Sequence, residues 1–324
     1  MVRMVPDASR ATPGTVPFPS GSPTETADAA AAPHERAIPA VSVLLPAHDA
    51  GRCIAVQLEA LAAQELEAPW ELIVVDHASS DDTADVVRSF LPRFAHARIV
   101  DAGPPMSAAH ARNVGAAVAQ GELLCFVDAD DRVAPGWLEA MTSGLAVADA
   151  VGGLMIAYVR DRRGAERVVD AATTDLTTND LGFLPSTATS NFGIRRAAFQ
   201  MLGGFDESFV TGEDIDLCWR VQLAGYRLQF VEEARVYYQE RSDLAAVARQ
   251  FLRYGEAMPK LFSTYRLLGM PPSSPWTAAA AWARVIVFAL IAWRSATSRR
   301  RWVKFVAQRA GRLSGSFRQR VLYL

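Results

Sequence analysis

The chain has 324 residues, half of them hydrophobic and 21% charged, which is enough to bury one large core or two modest ones and too apolar for a wholly disordered protein. Its three cysteines (Cys53, Cys125 and Cys218) are widely spaced and form no CxxC pair, which argues against a cysteine metal site and for buried free thiols in a reducing, cytosolic setting. The formal charge of −2 conceals a division: every acidic residue lies at or before Glu256, whereas 257–324 holds 12 basic residues and no acid, an asymmetry that predicts an anionic partner.

Residues 1–37 are rich in Ala, Pro, Ser, Thr and Gly, lack hydrophobic periodicity and contain no apolar signal core, so a disordered leader is expected. Val41–Leu45 reads as a buried parallel strand stopped by Pro46. Gly51–Gln64 has helical spacing, with Ile54, Leu58 and Leu61 on one face. Glu71–Val75 is a second strand ending at Asp76, and Ala78–Thr83 a turn capping a helix through Phe90. Ala97–Asp101 and Leu123–Val127 are further strands around an Ala-rich helix, Ala108–Ala119. Alternation of this kind predicts an α/β fold with a doubly wound sheet and right-handed crossovers. Past Ala150 it weakens. Val151–Val159 is expected as a strand, Asp161–Gly164 as a turn, 173–189 as a loop, Ser190–Ile194 as a strand and Ala197–Leu202 as a short helix. Asp214–Ala224 and Leu244–Tyr254 read as helices, with two short strands between them, Arg227–Val231 and Ala234–Tyr238.

The segment Val127–Asp131, VDADD, follows directly on the fourth strand. Carboxylates just past the end of such a strand stand where an open α/β sheet binds its ligand. Asp128 and Asp130, one residue apart, offer hard oxygen ligands suited to Mg²⁺ or Mn²⁺ that also touches substrate phosphates. An Asp-rich turn capping the next helix is the alternative.

Four segments in order extend this pattern: VSVLLPAHDAG (41–51), ELIVVDHASSDDT (71–83), AHARNVGAAVAQGELLCFVDADD (109–131) and GGFDESFVTGEDIDLCWRVQLAGYRL (203–228). Together they resemble the family 2 glycosyltransferases over about residues 40–255. The resemblance implies a GT-A fold, a Rossmann-like doubly wound mixed sheet flanked by helices. It also implies an inverting, non-processive hexosyltransferase that takes a nucleotide-diphospho-sugar donor and a glycan or lipid-linked acceptor, as in cell-envelope polysaccharide synthesis. On that pattern Pro46, Ala47 and Asp49 would line the base and ribose, and Asp76 would accept a hydrogen bond from the base. Arg112 would reach the diphosphate or hold an Asp of the binding loop. Asp128 and Ala129 would face the nucleotide, and Asp130 with Asp128 a divalent metal, Mn²⁺ or Mg²⁺. Asp214 would be the general base, with Glu213 second, and Asp216 and Trp219 would meet the acceptor. Because its neighbours are acidic, like-charge coupling would raise the pKa of one of these carboxyls.

One departure bears on the metal. Where the family often places a His after the last strand, this chain has Tyr238, a poor ligand for a divalent ion, which leaves metal dependence open. QFLRY (250–254) resembles the QxxRW element of processive synthases, but Tyr254 replaces the Trp; Gln250 and Arg253 are expected as ordinary helix residues, with Arg253 near the diphosphate as the alternative.

The domains expected are a leader (1–37), a GT-A domain (38–256, its nucleotide half 38–131 and its acceptor half 132–256) and a basic helical tail (257–324). In the tail, Trp276–Trp293 is apolar but has Arg284 near its middle, which costs roughly 2.5–3.5 kcal/mol at the centre of a span. The expectation is a helix that packs on the domain or lies on the inner face of the plasma membrane, with 276–320 against anionic lipid. A solvated basic helix paired with the acidic body is the alternative. Nucleic acid is not expected, because the body is acidic and contains no recognised module. A nucleotidyltransferase is disfavoured because HDAGR (48–52) supplies no Gly-rich loop with a lysine. A catalytically silent sugar-nucleotide-binding or scaffold protein on the same fold is the remaining reading.

Overall fold

A computed structural model describes residues 38–160, 166–173, 182–241 and 243–324. The expected leader, the turn at Asp161–Gly164 and much of the loop at 173–189 lie outside them. In chain order the elements begin β1 (Val41–Ala47), α1 (Ile54–Ala62), β2 (Trp70–Asp76), α2 (Thr83–Phe90), β3 (Ala97–Asp101), α3 (Ala108–Val118), β4 (Leu123–Val127), β5 (Arg132–Val133) and α4 (Trp137–Val147). They continue with β6 (Ala150–Arg160), β7 (Glu166–Thr173), β8 (Asn191–Arg195), α5 (Arg196–Met201), α6 (Glu213–Leu223), β9 (Leu228–Gln239), α7 (Leu244–Tyr265), α8 (Pro275–Ile291) and α9 (Ala296–Gln319).

One mixed sheet runs in the order β3-β2-β1-β4-β8-β6-β9-β5, with β7 added to β6. The four β-strands β1–β4 are mutually parallel, whereas β8 runs antiparallel to β4 and β6. Their apolar runs are buried on both faces: Val43, Leu45 and Val74 face one core with α1 and α4, while Leu44, Ile73 and Phe126 face another with α3 and α6. The chain leaves β1 for β2 on one side and meets β4 on the other, so the C-terminal ends of β1 and β4 flank the crevice where such sheets bind ligands. Gly115 lets α3 lie close to the sheet, since a methyl there would be 2.8 Å from Val75 Cγ2.

Three expectations are corrected. The two short strands are one, β9, whose pairing with β6 jumps from Gly153↔Val231 to Leu154↔Arg235. This bulge throws Glu232 and Glu233 out to solvent and splits the apolar pattern. Pro46 does not stop β1 but lies within it. Helix α7 does not end at Tyr254 but continues to Tyr265, through position 256, with Pro259 inside it.

Helices α7 and α9 cross at glycines. A methyl on Gly255 would meet Gln308 O, and one on Gly311 would lie 2.9 Å from Gly255 Cα. A third cluster (Phe209, Trp219, Leu261, Tyr265, Met270 and Tyr323) ties the end of the chain to α6 and α7.

Candidate active site

A cleft of about 670 Å³ opens beyond β4, between α6, β9, α7 and α9. Arg112, Asp128, Asp130, Glu213 and Asp214 all line it, so residues up to 102 positions apart converge as the sequence motifs require.

Arg112 organises that convergence. Its guanidinium, only 4% exposed, donates from Nη2 to Asp128 Oδ1 at 2.7 Å and from Nη1 to Glu213 Oε1 at 2.9 Å. Burial opposes its charge, but Asp128 and then Glu213 outweigh it and raise the pKa. The arginine thus holds an Asp of the binding loop and joins that loop to the N-terminus of α6. Gly212, at φ +90°, forms the turn before α6, and a methyl there would sit 3.2 Å from Ala257 Cβ of α7.

Asp214 differs from Glu213. Among the described residues its carboxylate forms no ion pair, and Oδ1 accepts the Ile215 N–H at 2.8 Å. A helix N-terminus favours carboxylate charge. Here burial, then the charge of Glu213, overrides it and raises the pKa to about 7. Asp130 is raised as well, by burial first and Asp128 second. Asp131 is buried and raised well above the usual range by burial and by Asp130; it accepts from Gln239 N at 3.1 Å and so latches the loop to β9.

Asp130 and Asp128 present carboxylate oxygens to the cleft, whereas Tyr238 is a neutral phenol: burial raises its pKa, and its hydroxyl accepts from Gln250 Nε2 at 3.0 Å. Among the described residues no group of three His, Cys, Asp or Glu could hold a metal ion. Two carboxylates alone fit a hard ion of the Mg²⁺ or Mn²⁺ kind, which completes its shell with water and substrate phosphates.

Pro46, Ala47, Asp49 and Asp76 do not line this cleft but gather at the ends of β1 and β2. Ala47 O accepts from His77 N at 2.9 Å, and Asp49, at φ +46°, accepts from Ser80 N at 2.7 Å. The Ser80 backbone hydrogen bond is the first cause of its lowered pKa. Asp76 Oδ1 caps the following turn, accepting from Ser79 N at 3.2 Å. His77 packs edge-on to His48, and both its ring nitrogens are shielded without a hydrogen-bond partner among the described residues. Ala129 is buried between Asp128 and Asp130.

The acceptor contacts expected of Asp216 and Trp219 are corrected. Asp216 is buried against Arg220 Nη2 at 2.6 Å and the Tyr265 hydroxyl at 2.5 Å. Trp219 is fully buried against Phe183 and Tyr265, and its indole N–H donates to Leu184 O. Both side chains pack α6 against its surroundings.

Other site residues escaped the sequence reading. Gln57 is fully buried on α1, where its amide donates to Asp128 O at 3.2 Å and accepts from Val133 N at 3.0 Å, holding the VDADD loop at both ends. A polar residue on the apolar face of a predicted helix was its signal. Gln250 and Arg253 are not ordinary surface residues: both line the cleft, and Gln250 joins Tyr238 to Tyr254. Arg241 and Arg249 line it too, and neither they nor Arg253 form ion pairs with the described residues. The far wall is α9, through Arg300, Lys304 and Gln308, with Glu240 pairing both Arg300 (2.8 Å) and Lys304 (2.6 Å).

The family model described as "Glycosyltransferase like family 2" matches residues 39–257. The probable glycosyltransferase YdaM of Bacillus subtilis is 30% identical over 243 residues, 67% of this chain and 54% of that one. Glycosyltransferase AglE of Haloferax volcanii is 27% identical over 235 residues, 71% of this chain and 76% of its own. The chain thus spans about half the length of the first relative and three quarters of the second. Among solved structures, mannosyltransferase PcManGT from Pyrobaculum calidifontis, in complex with GDP-Man and Mn²⁺, superposes with a TM-score of 0.62 at 20% identity, over 89% of this chain and 90% of that one. S. aureus TarS 1-349 in complex with UDP-GlcNAc gives 0.51 at 18% identity, over 88% and 93%. At these identities the two structures speak for the fold. With the family model covering two thirds of its length and the sheet order above, this chain belongs to the family 2-like glycosyltransferases and has a GT-A fold.

Proposed function

We propose that the chain transfers a sugar from a nucleotide-diphospho-sugar to a hydroxyl acceptor with inversion, using Asp214 as general base. The observation that carries this reading is the pairing of roles within one cleft: Glu213 is consumed by Arg112, while the adjacent Asp214 has no ion pair among the described residues and is raised to about 7, the value a base needs near neutrality. Family membership and relatives named as glycosyltransferases support it.

The donor diphosphate would lie at the Asp128–Asp130 end of the cleft, with its base toward Asp76 and Asp49. Arg112, donating to Asp128 Oδ1 at 2.7 Å, would fix the orientation of that carboxylate. Asp130 and Asp128 would hold Mn²⁺ or Mg²⁺, which would supply charge neutralisation for the departing diphosphate. Arg241, Arg249 and Arg253, which also line the cleft, would add positive charge. Asp214 takes the proton of the acceptor hydroxyl. The freed oxygen then bonds to the anomeric carbon as the bond to the diphosphate breaks, so configuration inverts in a single displacement.

The test is release of nucleoside diphosphate from a panel of UDP-, GDP- and dTDP-sugars, with and without Mn²⁺, by wild type and Asp214→Asn. Turnover lost in the variant while donor binding persists supports the reading. Binding without turnover in wild type, even with an acceptor extract supplied, would favour the silent binding protein instead.

A further inference from the structure

We infer that the outer face of α8 docks in the plane of an anionic lipid bilayer, with α9 as the partition between that bilayer and the cleft. Pro275–Arg294 is long and apolar enough to cross a membrane by length and composition, yet only 17% of its most apolar window is buried. The burial is one-sided. Ala278, Ala281, Val285 and Ala292, at steps of three, four and seven residues, lie on one face, that against α9, where Phe288 stacks on Phe305 and the Trp302 indole donates to Val285 O. The opposite face presents Trp276 (84% exposed), Ile286 (66%), Val287 (57%), Leu290 (68%) and Trp293 (74%). An apolar stripe of this size on a helix about 26 Å long marks an interaction surface rather than scattered exposure.

Charge selects the occupant. The stripe belongs to a stretch, 257–324, that holds 12 basic residues and no acid, with Arg284 and Arg294 exposed in its own segment and Arg299 and Arg301 exposed on α9. A second copy packed on this face through a two-fold axis would bring the same positive charges together and be repelled. An anionic headgroup layer attracts them, and tryptophans at both ends of the stripe suit the boundary between headgroups and acyl chains.

Geometry selects lying over spanning. The inner face of α8 is held by α9, whose own turns carry Arg299, Arg300, Arg301 and Lys304, so α8 cannot enter the hydrocarbon without leaving its partner or dragging those charges along. Helical spacing puts Arg284 at the edge of the stripe, where its stem lets the charge reach headgroups. Arg300 and Lys304 of α9 face the cleft while Trp302 and Phe305 face α8, so one helix separates the two. The inference does not depend on Asp214 or on any donor.

The test uses the full chain with vesicles of phosphatidylcholine alone or mixed with phosphatidylglycerol. Co-sedimentation is expected only with the anionic vesicles, weakened by high salt, and weakened about thirtyfold by the double substitution Arg299→Gln/Arg301→Gln. Lipids brominated just below the headgroups should quench the tryptophan fluorescence of the unmodified chain, a readout that does not depend on any variant folding. Alkaline carbonate should release the chain from the vesicles. Failure to bind anionic vesicles overturns the proposal. So does resistance to carbonate, which would mean a spanning helix. A dimer in light scattering that Ile286→Ser/Leu290→Ser dissolves would give the face to a second copy and overturn it as well.

Discussion

Replacing Asp214 by Asn should abolish turnover and stabilise the fold, and the two effects share one cause. The folded-state pKa of this carboxyl is raised from 3.8 to about 7, chiefly by burial and then by Glu213. A raised carboxyl favours the folded state fully below its unfolded pKa and loses that contribution as pH rises through 7. At about 1.4 kcal/mol per pKa unit, ionising Asp214 in place would cost about 4 kcal/mol if nothing screened it. Contact with cleft water reduces this to about 2 kcal/mol. Asn keeps the shape and can still accept the Ile215 N–H, but it carries no charge. Its melting temperature should therefore exceed that of wild type by a few degrees near pH 8, with the margin shrinking toward pH 5. Wild-type kcat/KM should fall about tenfold per pH unit below 7, as the base is protonated. Differential scanning calorimetry and a pH–rate profile on the same preparations read both effects. An Asn variant less stable than wild type at pH 8, or one that keeps its turnover, would refute the reasoning.

The remaining expectations concern the supports of that site. Arg112→Met strands two carboxylates that now share one buried guanidinium, and should cost about 3–5 kcal/mol in urea unfolding. Gly311→Ala forces α9 off α7 and should cost about 1–3 kcal/mol, with a fall in donor turnover because Arg300 and Lys304 move with it. Chelation by EDTA should weaken donor binding in calorimetry, and Asp130→Asn should remove any response to Mn²⁺. Tyr238→His exchanges a neutral phenol for an imidazole beside the same carboxylates and should tighten Mn²⁺ binding.

The nucleotide half was legible because its signals are local. Val41–Ala47, Trp70–Asp76 and Leu123–Val127 are apolar on both faces, so each run reads as a parallel strand, and each leads to an acidic residue at the ligand end of the sheet. The GED turn was legible because a helix pattern begins right after a glycine. Single-residue logic failed where a side chain could be read two ways. Trp219 and Asp216 follow Asp214 on the same helix, but helical rotation turns them inward to Phe183 and Tyr265, which lie 36 residues before and 46 residues after Trp219 in the chain. Gln250 and Arg253 read as ordinary helix residues because the element they oppose, α9, begins over 40 residues later. Periodicity reports that a face is buried; it does not report by what.

The C-terminal segment shows why that distinction matters for function. Sequence resemblance ends near residue 257, and composition changes there as well, so 257–324 reads as an appendage. Its contacts say otherwise. Helix α7 runs through the boundary without a break, the paired Gly255 and Gly311 bring α9 to backbone contact with it, and Tyr323 returns to stack on Phe262 beneath α6. The excess of positive charge is likewise divided between two surfaces. Arg300 and Lys304 are turned inward to Glu240 and the cleft, whereas Arg299 and Arg301 stay exposed to solvent. Residues one position apart on a helix point about 100° apart, so a run of three arginines necessarily serves more than one side of α9. The same run therefore couples the wall that would contain the reacting sugar to the surface that would hold the protein on lipid. A change in the seating of α9 would be felt on both faces at once.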